Sequence, residues 1–179
     1  MYDNYELDPE IGAVIYGTDI EFTHQKLLLA SLYLNVLKVP LLVTNDDAVA
    51  NIKGRNWPCE GANLAAILAS TGLRQGSDPR STSMTEPGTF DLIGKPNPYT
   101  IDLIKEEHGL ATDSRTIMIG DTPSTDMLFG KNGGIDTCLV LSGRVRSEAD
   151  FRENWLPDFP DSTPTYIIEM VGDLEEAQV

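Results

Sequence analysis

Two aspartates in one short segment have the types and spacing of a cation site. Residues 116–126 read Thr-Ile-Met-Ile-Gly-Asp-Thr-Pro-Ser-Thr-Asp, so Asp121 follows a mostly apolar run and a glycine, and Asp126 comes shortly after it. The run predicts a buried strand, the glycine a tight turn, and Thr122 with Pro123 the capped start of a helix. Chemistry in open α/β sheets gathers at the carboxyl ends of strands, so the two carboxylates predict a site for a hard cation such as Mg²⁺. The alternative is a plain strand-turn-helix with an aspartate in its turn.

A lysine occupies the same place in an earlier strand-turn-helix pattern. Residues 92–98 read Leu-Ile-Gly-Lys-Pro-Asn-Pro, which places Lys95 at the end of a short strand. We expect Asn97 to cap the following helix and Pro98 to start it. An ammonium group beside a metal-binding carboxylate suits a phosphate, whose charge needs neutralising from more than one side. An isolated lysine is usually a solvated surface residue, but this position makes that alternative less frequent.

These two segments resemble the third and fourth sequence motifs of the haloacid dehalogenase (HAD) superfamily. They are most similar to its phosphatases that include 4-nitrophenylphosphatase, phosphoglycolate phosphatase and pyridoxal phosphatase. The similarity covers nearly the whole chain and includes residues 12–17, 42–47, 106–110 and 128–132. The resemblance implies an α/β fold: a HAD-like Rossmannoid core with a mainly parallel sheet, and an α/β cap domain. The alternation of strand and helix patterns favours the same class.

The resemblance also implies a domain organisation. Residues 1–90 would form the cap domain, and residues 91–179 the C-terminal half of the core. Residues 74–89 carry almost no apolar side chain, so we expect a flexible loop near the boundary. Residues 54–61 are also expected to form a loop, and residues 91–93 to open the core half.

Roles for individual residues follow from the resemblance. Asp121 would be a ligand of Mg²⁺, Asp126 would hold a water molecule or Lys95, and Lys95 would steady the nucleophile and the phosphate oxygens. Asn45 and Asp47 would lie in a cap loop that faces the substrate. The alternative for these two residues is a polar turn held by local hydrogen bonds.

The resemblance implies Mg²⁺-dependent hydrolysis of a phosphate monoester such as phosphoglycolate or 4-nitrophenyl phosphate. In the family, an Asp-x-Asp motif supplies the nucleophile, and this motif and the second one would lie upstream of Met1. The chain therefore resembles a C-terminal fragment and is expected to be inactive alone. Its nearest substitute, Asp19-Ile-Glu21, aligns better with a cap segment. Two alternatives are a non-catalytic protein that binds phosphate, metal or a partner, and, less favoured, a phosphoacceptor receiver domain.

The amino-acid composition limits which kinds of partner the chain can bind. The chain of 179 residues has 13 basic and 28 acidic side chains and a net charge of −15, which opposes binding to nucleic acid or to an anionic membrane. The acidic N-terminus does not resemble a signal peptide, and the longest apolar stretch, residues 27–43, is broken by polar residues and a proline. Cys59 and Cys138 favour a reducing compartment. We expect a cytoplasmic protein that binds a small phosphorylated substrate and forms a homodimer through the cap.

Overall fold

The structure is a computed structural model that describes residues 5–47, 49–52, 55–76, 86–110 and 116–174. The chain divides into two compact units, Met1–Ile93 and Gly94–Val179. Within the described ranges, no helix has both the length and the apolar character needed to cross a bilayer.

The first unit is built on a sheet of four parallel strands in the order β1-β2-β6-β5. These strands are β1 (Val14–Tyr16), β2 (Leu41–Val43), β5 (Arg74–Gln75) and β6 (Thr89–Leu92). An antiparallel hairpin is separate from this sheet and consists of β3 (Val49–Ile52) and β4 (Arg55–Pro58).

Two helices accompany the first sheet. Helix α1 (His24–Leu32) begins where the Thr23 side chain accepts a hydrogen bond from the Lys26 amide, and it continues as a wider π-helical turn. Helix α2 (Glu60–Thr71) ends at Gly72, whose positive φ of 70° is the left-handed cap that glycine favours. The core consists of buried side chains from the sheet and both helices: Tyr16, Leu34, Leu41, Val43, Leu64, Ile67, Phe90 and Leu92.

Three segments of the first unit differ from the sequence prediction. Arg74–Gln75, expected within a loop, forms a strand that pairs with β6, while residues 77–85 of that predicted loop lie outside the described residues. Residues 55–58, also expected in a loop, form β4. Asp91, expected to open the second half of the chain, is paired with Leu42, and the units divide after Ile93. Strand pairing uses backbone groups, so short polar strands at a sheet edge need no apolar pattern.

The second unit has a three-stranded parallel sheet in the order β7-β8-β9. Its strands are β7 (Ile117–Gly120), β8 (Asp136–Val140) and β9 (Tyr166–Ile168). The helices are α3 (Tyr99–His108), α4 (Leu128–Asn132), preceded by a π-helical turn at Pro123–Met127, and α5 (Glu148–Asp150), followed by another at Phe151–Trp155. Short 3-10 turns lie at Pro160–Ser162 and Val171–Leu174. Met127, Leu139, Val145 and Phe151 form the core.

β8 is the central strand of this sheet and β7 lies at its edge. Cys138 and Leu139 in β8 are almost fully buried, whereas Ile117 in β7 is 41% exposed. Mixed helices and parallel sheets confirm the predicted α/β class. The arrangement also brings the carboxyl ends of β7 and β8 to the same edge of the sheet, since parallel strands end on one side.

We expect amide hydrogen exchange to separate these two strands. The amides of β8 have bonded neighbours on both sides, while alternate amides of β7 point away from β8. Exchange measured by NMR on the purified chain should therefore be slower by at least about tenfold in β8 than at the outward amides of β7. Equal protection at every amide of β7 and β8 would contradict the edge position of β7.

Candidate functional site

Asp126 is the buried carboxylate of the turn that follows β7. Its side chain reaches back along the chain, so that Oδ2 accepts hydrogen bonds from the backbone N–H groups of Asp121 at 3.1 Å and Thr122 at 3.0 Å. The residue is only 3% exposed. A Cβ atom at Gly120 would overlap the Asp126 carboxylate, so this position requires glycine for close approach. Asp126 therefore fixes the path of the chain from strand to helix.

Lys95 pairs with the other oxygen of the same carboxylate. Its Nζ donates to Asp126 Oδ1 at 2.5 Å, and the side chains are 47% and 5% exposed, respectively. A buried carboxylate is costly unless it is paired and hydrogen-bonded, and three donors meet that requirement here. An ammonium group carries three N–H donors, so the half-exposed Lys95 can also donate to an incoming anion.

Asp121 lies beside this pair and is held from two directions. Its Oδ1 accepts from the Thr122 hydroxyl at 3.1 Å, and its Oδ2 accepts from the backbone N–H of Arg144 at 2.9 Å. Arg144 belongs to the turn after β8, and a Cβ atom at Gly143 in that turn would overlap the Asp121 carboxylate. A carboxylate offers about four acceptor positions, so Asp121 retains capacity for a cation.

The structure brings together three of the predicted site residues: Lys95, Asp121 and Asp126. Their proposed chemical roles remain predictions. Thr122 was expected to cap the helix, but its hydroxyl donates to Asp121 instead, and the Asp126 side chain supplies the bonds at the helix start. Asn97 Oδ1 accepts from the Tyr99 amide at 2.8 Å at the start of helix α3, and Pro98, expected to start the helix, occupies the cap position before Tyr99.

Gly143 and Arg144 are members of the site that the sequence interpretation missed. Residues 142–143 were recognisable as a turn after a strand, but only the pairing of β7 with β8 places that turn against Asp121. The available signal was a glycine in the turn that follows the neighbouring parallel strand, where a close approach to the end of the first strand is expected.

Asn45 and Asp47, which were predicted to bind substrate together with Lys95, belong to the first unit. Asn45 Oδ1 accepts from the Asp47 amide at 2.8 Å, which is the local turn of the alternative interpretation. Asn45 Nδ2 donates to Glu60 Oε2 at 3.3 Å, and the Asp47 carbonyl accepts from the Gly61 amide at 2.8 Å. Binding of substrate by Asn45 and Asp47 stays a prediction.

Glu60 was not singled out in the sequence, yet it collects the polar groups at this end of the first sheet. We call Thr18, Asn45, Cys59 and Glu60 the Glu60 cluster, since the first three donate to the Glu60 carboxylate. Hydrogen bonds from the Cys59 thiol, and then from the Thr18 hydroxyl, lower the pKa of Glu60. The same bond to Glu60, with burial as a smaller cause, raises the pKa of Cys59. Glu60 is therefore an ionised carboxylate at neutral pH, and Cys59 a protonated thiol.

The described side chains around Asp121 supply only some of the ligands that a metal ion requires. Among the residues that the structure describes, no group of three His, Cys, Asp or Glu side chains could hold one. Asp121 fits a single ligand position for Mg²⁺, which is commonly bound by one or two carboxylates together with phosphate oxygens and water.

Replacing Gly143 with alanine should destabilise the second unit. The added methyl group displaces the Asp121 carboxylate and breaks its bond from Arg144. We expect the free energy of unfolding, measured by urea titration, to fall by about 1–3 kcal/mol. Gly172→Ala is the matched control, because a Cβ atom added at Gly172 would lie 3.9 Å from its nearest neighbouring atoms. This substitution should change the free energy of unfolding by less than about 0.5 kcal/mol. Equal losses in the two variants would argue against a close approach at Gly143.

The Cys59 thiol should react slowly with iodoacetamide at pH 8, although it is only partly buried. The thiolate is the nucleophile, and the raised pKa reduces its population below that of an ordinary cysteine. Alkylation of Cys59, followed by mass spectrometry, should be slower in the folded chain than in urea and should accelerate as the pH rises above 9. Cys138, which is buried, provides the fully protected reference. Faster alkylation of Cys59 in the folded chain than in urea would contradict the Glu60 contact.

The chain is similar to known proteins in sequence and in fold. Residues 92–174 match the HAD-hydrolase-like family. Phosphoglycolate phosphatase 2 of Arabidopsis thaliana is 33% identical over 172 residues, covering 93% of this chain and 52% of the relative. Glycerol-3-phosphate phosphatase of Homo sapiens is 30% identical over 171 residues, covering 94% of this chain and 48% of the relative. The chain thus spans about half the length of the curated relatives it matches.

Solved structures of phosphatases are also similar to this chain. The 4-nitrophenylphosphatase of Thermotoga maritima matches with a TM-score of 0.71 and 29% identity, covering 97% of this chain and 58% of that one. A p-nitrophenyl phosphatase from Archaeoglobus fulgidus matches with a TM-score of 0.73 over 96% of this chain and 59% of that one, at 20% identity, which supports the fold alone. The match of residues 92–174 to the HAD-hydrolase-like family, together with the similarity of nearly the whole chain to phosphatases, confirms the resemblance that the sequence motifs predicted.

Proposed function

We propose that this chain supplies the lysine and a metal-binding aspartate of a Mg²⁺-dependent phosphatase for small phosphorylated metabolites. The observation that supports this proposal is the Lys95–Asp126 pair beside Asp121 at the carboxyl end of β7. The names of the relatives point to phosphoglycolate, glycerol 3-phosphate or 4-nitrophenyl phosphate as the kind of substrate.

The charges of the site support the need for a divalent cation. Lys95 and Asp126 neutralise each other, and the Asp121 carboxylate then leaves the group negative. A phosphate dianion would be repelled by this arrangement unless further positive charge is bound nearby. Mg²⁺ held by Asp121 would reverse the sign and would act as a Lewis acid on the phosphate.

Each of the three residues then has a distinct role in the proposed reaction. Lys95 donates to a phosphate oxygen, and Asp126 keeps the ammonium in place while it fixes the turn. Asp121 is oriented by the Thr122 hydroxyl and the Arg144 amide, which hold its carboxylate towards a cation. Preorganised groups of this kind stabilise the charge of phosphoryl transfer without reorganising during the reaction.

The nucleophile would have to come from another segment. The 179 residues contain no Asp-x-Asp sequence. Asp19, the nearest substitute, accepts from Lys26 Nζ at 2.7 Å and from the Glu21 amide at 2.9 Å, so local partners occupy it. This observation also favours a second candidate function, in which the chain binds phosphate or metal, or a partner protein, without turnover.

The isolated chain should therefore hydrolyse 4-nitrophenyl phosphate with Mg²⁺ no faster than buffer does. Release of 4-nitrophenolate, followed by its absorbance, measures this directly. Turnover that disappears in the Asp19→Asn variant would contradict the proposal, because it would make Asp19 the nucleophile.

A chimera separates the two candidate functions. It joins the N-terminal core of the Thermotoga maritima 4-nitrophenylphosphatase to this chain. If the chain is catalytic, Lys95→Met or Asp121→Asn should lower kcat by about 100-fold or more, since each removes a charge from the transition-state site. Asp126→Asn, which acts by positioning Lys95, should lower kcat by about tenfold.

The matched control for the loss of a lysine is Lys131→Met. Lys131 pairs with Asp161 at 3.0 Å in an exposed contact that does not include Lys95, Asp121 or Asp126. A folded chimera that responds equally to Lys95→Met and Lys131→Met would argue against the catalytic function. A folded chimera that binds Mg²⁺ without hydrolysing the ester would favour the non-catalytic one.

A further inference from the structure

Arg144 gives its backbone N–H to the Asp121 carboxylate, while its own side chain is exposed. Within the described residues, the guanidinium group of Arg144 has no hydrogen bond or ion pair. Every other described lysine or arginine of the second unit lies against an oxygen acceptor or a carboxylate. Lys95 pairs with Asp126, Lys105 donates to the Gly133 carbonyl, Lys131 pairs with Asp161, Arg152 pairs with Glu148, and Arg146 lowers the pKa of Asp150 through its backbone N–H and then its charge.

The composition makes an arginine without a carboxylate partner informative. The chain has 28 acidic side chains against 13 basic ones, so carboxylates are abundant and basic groups are few. A guanidinium group keeps its charge at neutral pH, and its planar set of N–H donors matches the two oxygens of a carboxylate or a phosphate. The Arg144 side chain is therefore available to an anionic group of a ligand.

The backbone around Arg144 is fixed on both sides. A Cβ atom at Gly143 would overlap the Asp121 carboxylate, and Val145 is fully buried in the core of the second unit. The Arg144 amide nitrogen itself is 2.9 Å from Asp121 Oδ2. The Arg144 side chain consequently begins next to the carboxylate that we assign to the cation, although the side chain is free to move in solvent.

Each aspartate of the site is thus bound to one basic residue in a different way. Lys95 is held through its ammonium group on Asp126, whereas Arg144 is held through its backbone on Asp121. Lys95 and a cation at Asp121 are sufficient donors for the phosphate group of a substrate. Arg144, which is long, exposed and anchored at the same place, suits a second anionic group that extends from the phosphate towards solvent.

We propose that Arg144 determines substrate specificity, because its guanidinium group binds a carboxylate on the organic part of the phosphate ester. The chain then selects an ester that also carries a carboxylate, such as phosphoglycolate, over one that carries only hydroxyl groups, such as glycerol 3-phosphate. This inference rests on the proposed phosphatase site, since the phosphate must lie at Lys95 and Asp121 for the carboxylate to meet Arg144. The net charge of −15 disfavours the more anionic ester, so a preference for it requires a local cation.

The test measures binding to the full chain in the presence of Mg²⁺, by calorimetry, for phosphoglycolate, glycerol 3-phosphate and inorganic phosphate. We expect the Kd of phosphoglycolate to be lower than that of glycerol 3-phosphate by about fivefold, the effect of one exposed ion pair. Arg144→Met should remove this preference by raising the Kd of phosphoglycolate alone. Arg144→Lys should retain part of it, because a point charge replaces the planar donor set.

A local readout identifies the group that binds. The NMR signal of the Arg144 Nε–H group, assigned through the Arg144→Lys variant, should shift with phosphoglycolate and not with glycerol 3-phosphate. Arg146→Met is the matched control, because it removes the same charge two positions away, and it should leave the preference unchanged. The bond to Asp121 comes from the Arg144 backbone, so the side-chain variants keep it, and circular dichroism checks that each variant is folded.

The outcomes separate this inference from the proposed function. Equal affinity for the two esters, or equal effects of Arg144→Met and Arg146→Met, would overturn the role of Arg144. Weaker binding of all three probes in Lys95→Met would still support the phosphatase site in that case. A preference that Arg144→Met removes, with no effect of Lys95→Met on any probe, would instead contradict the phosphate site at Lys95. No binding of any probe at millimolar concentration would overturn both.

Discussion

The candidate site in the second unit depends on the satisfaction of one buried carboxylate. Asp126 is withdrawn from water, and the free energy of leaving it unpaired would be several kcal/mol. The two amides at the strand end and the Lys95 ammonium remove that cost together. As a result, the turn geometry, the position of Lys95 and the orientation of the Asp121 backbone are set by the same group. A change that removes any one donor disturbs the other two.

These three residues were predictable because the signals that place them are local. A strand followed by glycine and a polar residue, and then by a helix start, specifies a strand end from a few consecutive positions. Asp121 and Asp126 share one such pattern and Lys95 occupies another. The approach of Asp126 to the end of β7 follows from this local turn, but the rule for parallel strand ends does not account for Lys95, because β6, the strand before it, belongs to the first sheet and β7 to the second. The α/β class followed from the same alternation of patterns.

The contacts that the sequence did not reveal join distant segments. Glu60 meets Thr18, which is 42 positions away, and Asp121 meets the Arg144 amide, which is 23 positions away. No periodicity encodes such a meeting, since it depends on which strands are neighbours. The polar strand β5 was missed for a related reason: its pairing with β6 uses backbone groups, so its side chains carry no apolar pattern. The pairing of Asp91 with Leu42 assigned the boundary strand to the first unit in the same way.

The two buried carboxylates show how the nature of the donor decides what a site can bind. Asp126 is satisfied partly by a cation, so its charge is cancelled where it lies and the ammonium remains half-exposed to solvent. Glu60 accepts hydrogen bonds from neutral groups, Thr18, Asn45 and Cys59, which satisfy its oxygens without cancelling its negative charge. Exposed charges are screened beyond about 8 Å at physiological ionic strength. The charges next to each carboxylate therefore influence binding there more than the net charge of −15 over the whole chain does. An acidic protein can therefore present a half-exposed ammonium group at one place and a buried carboxylate of uncancelled charge at another.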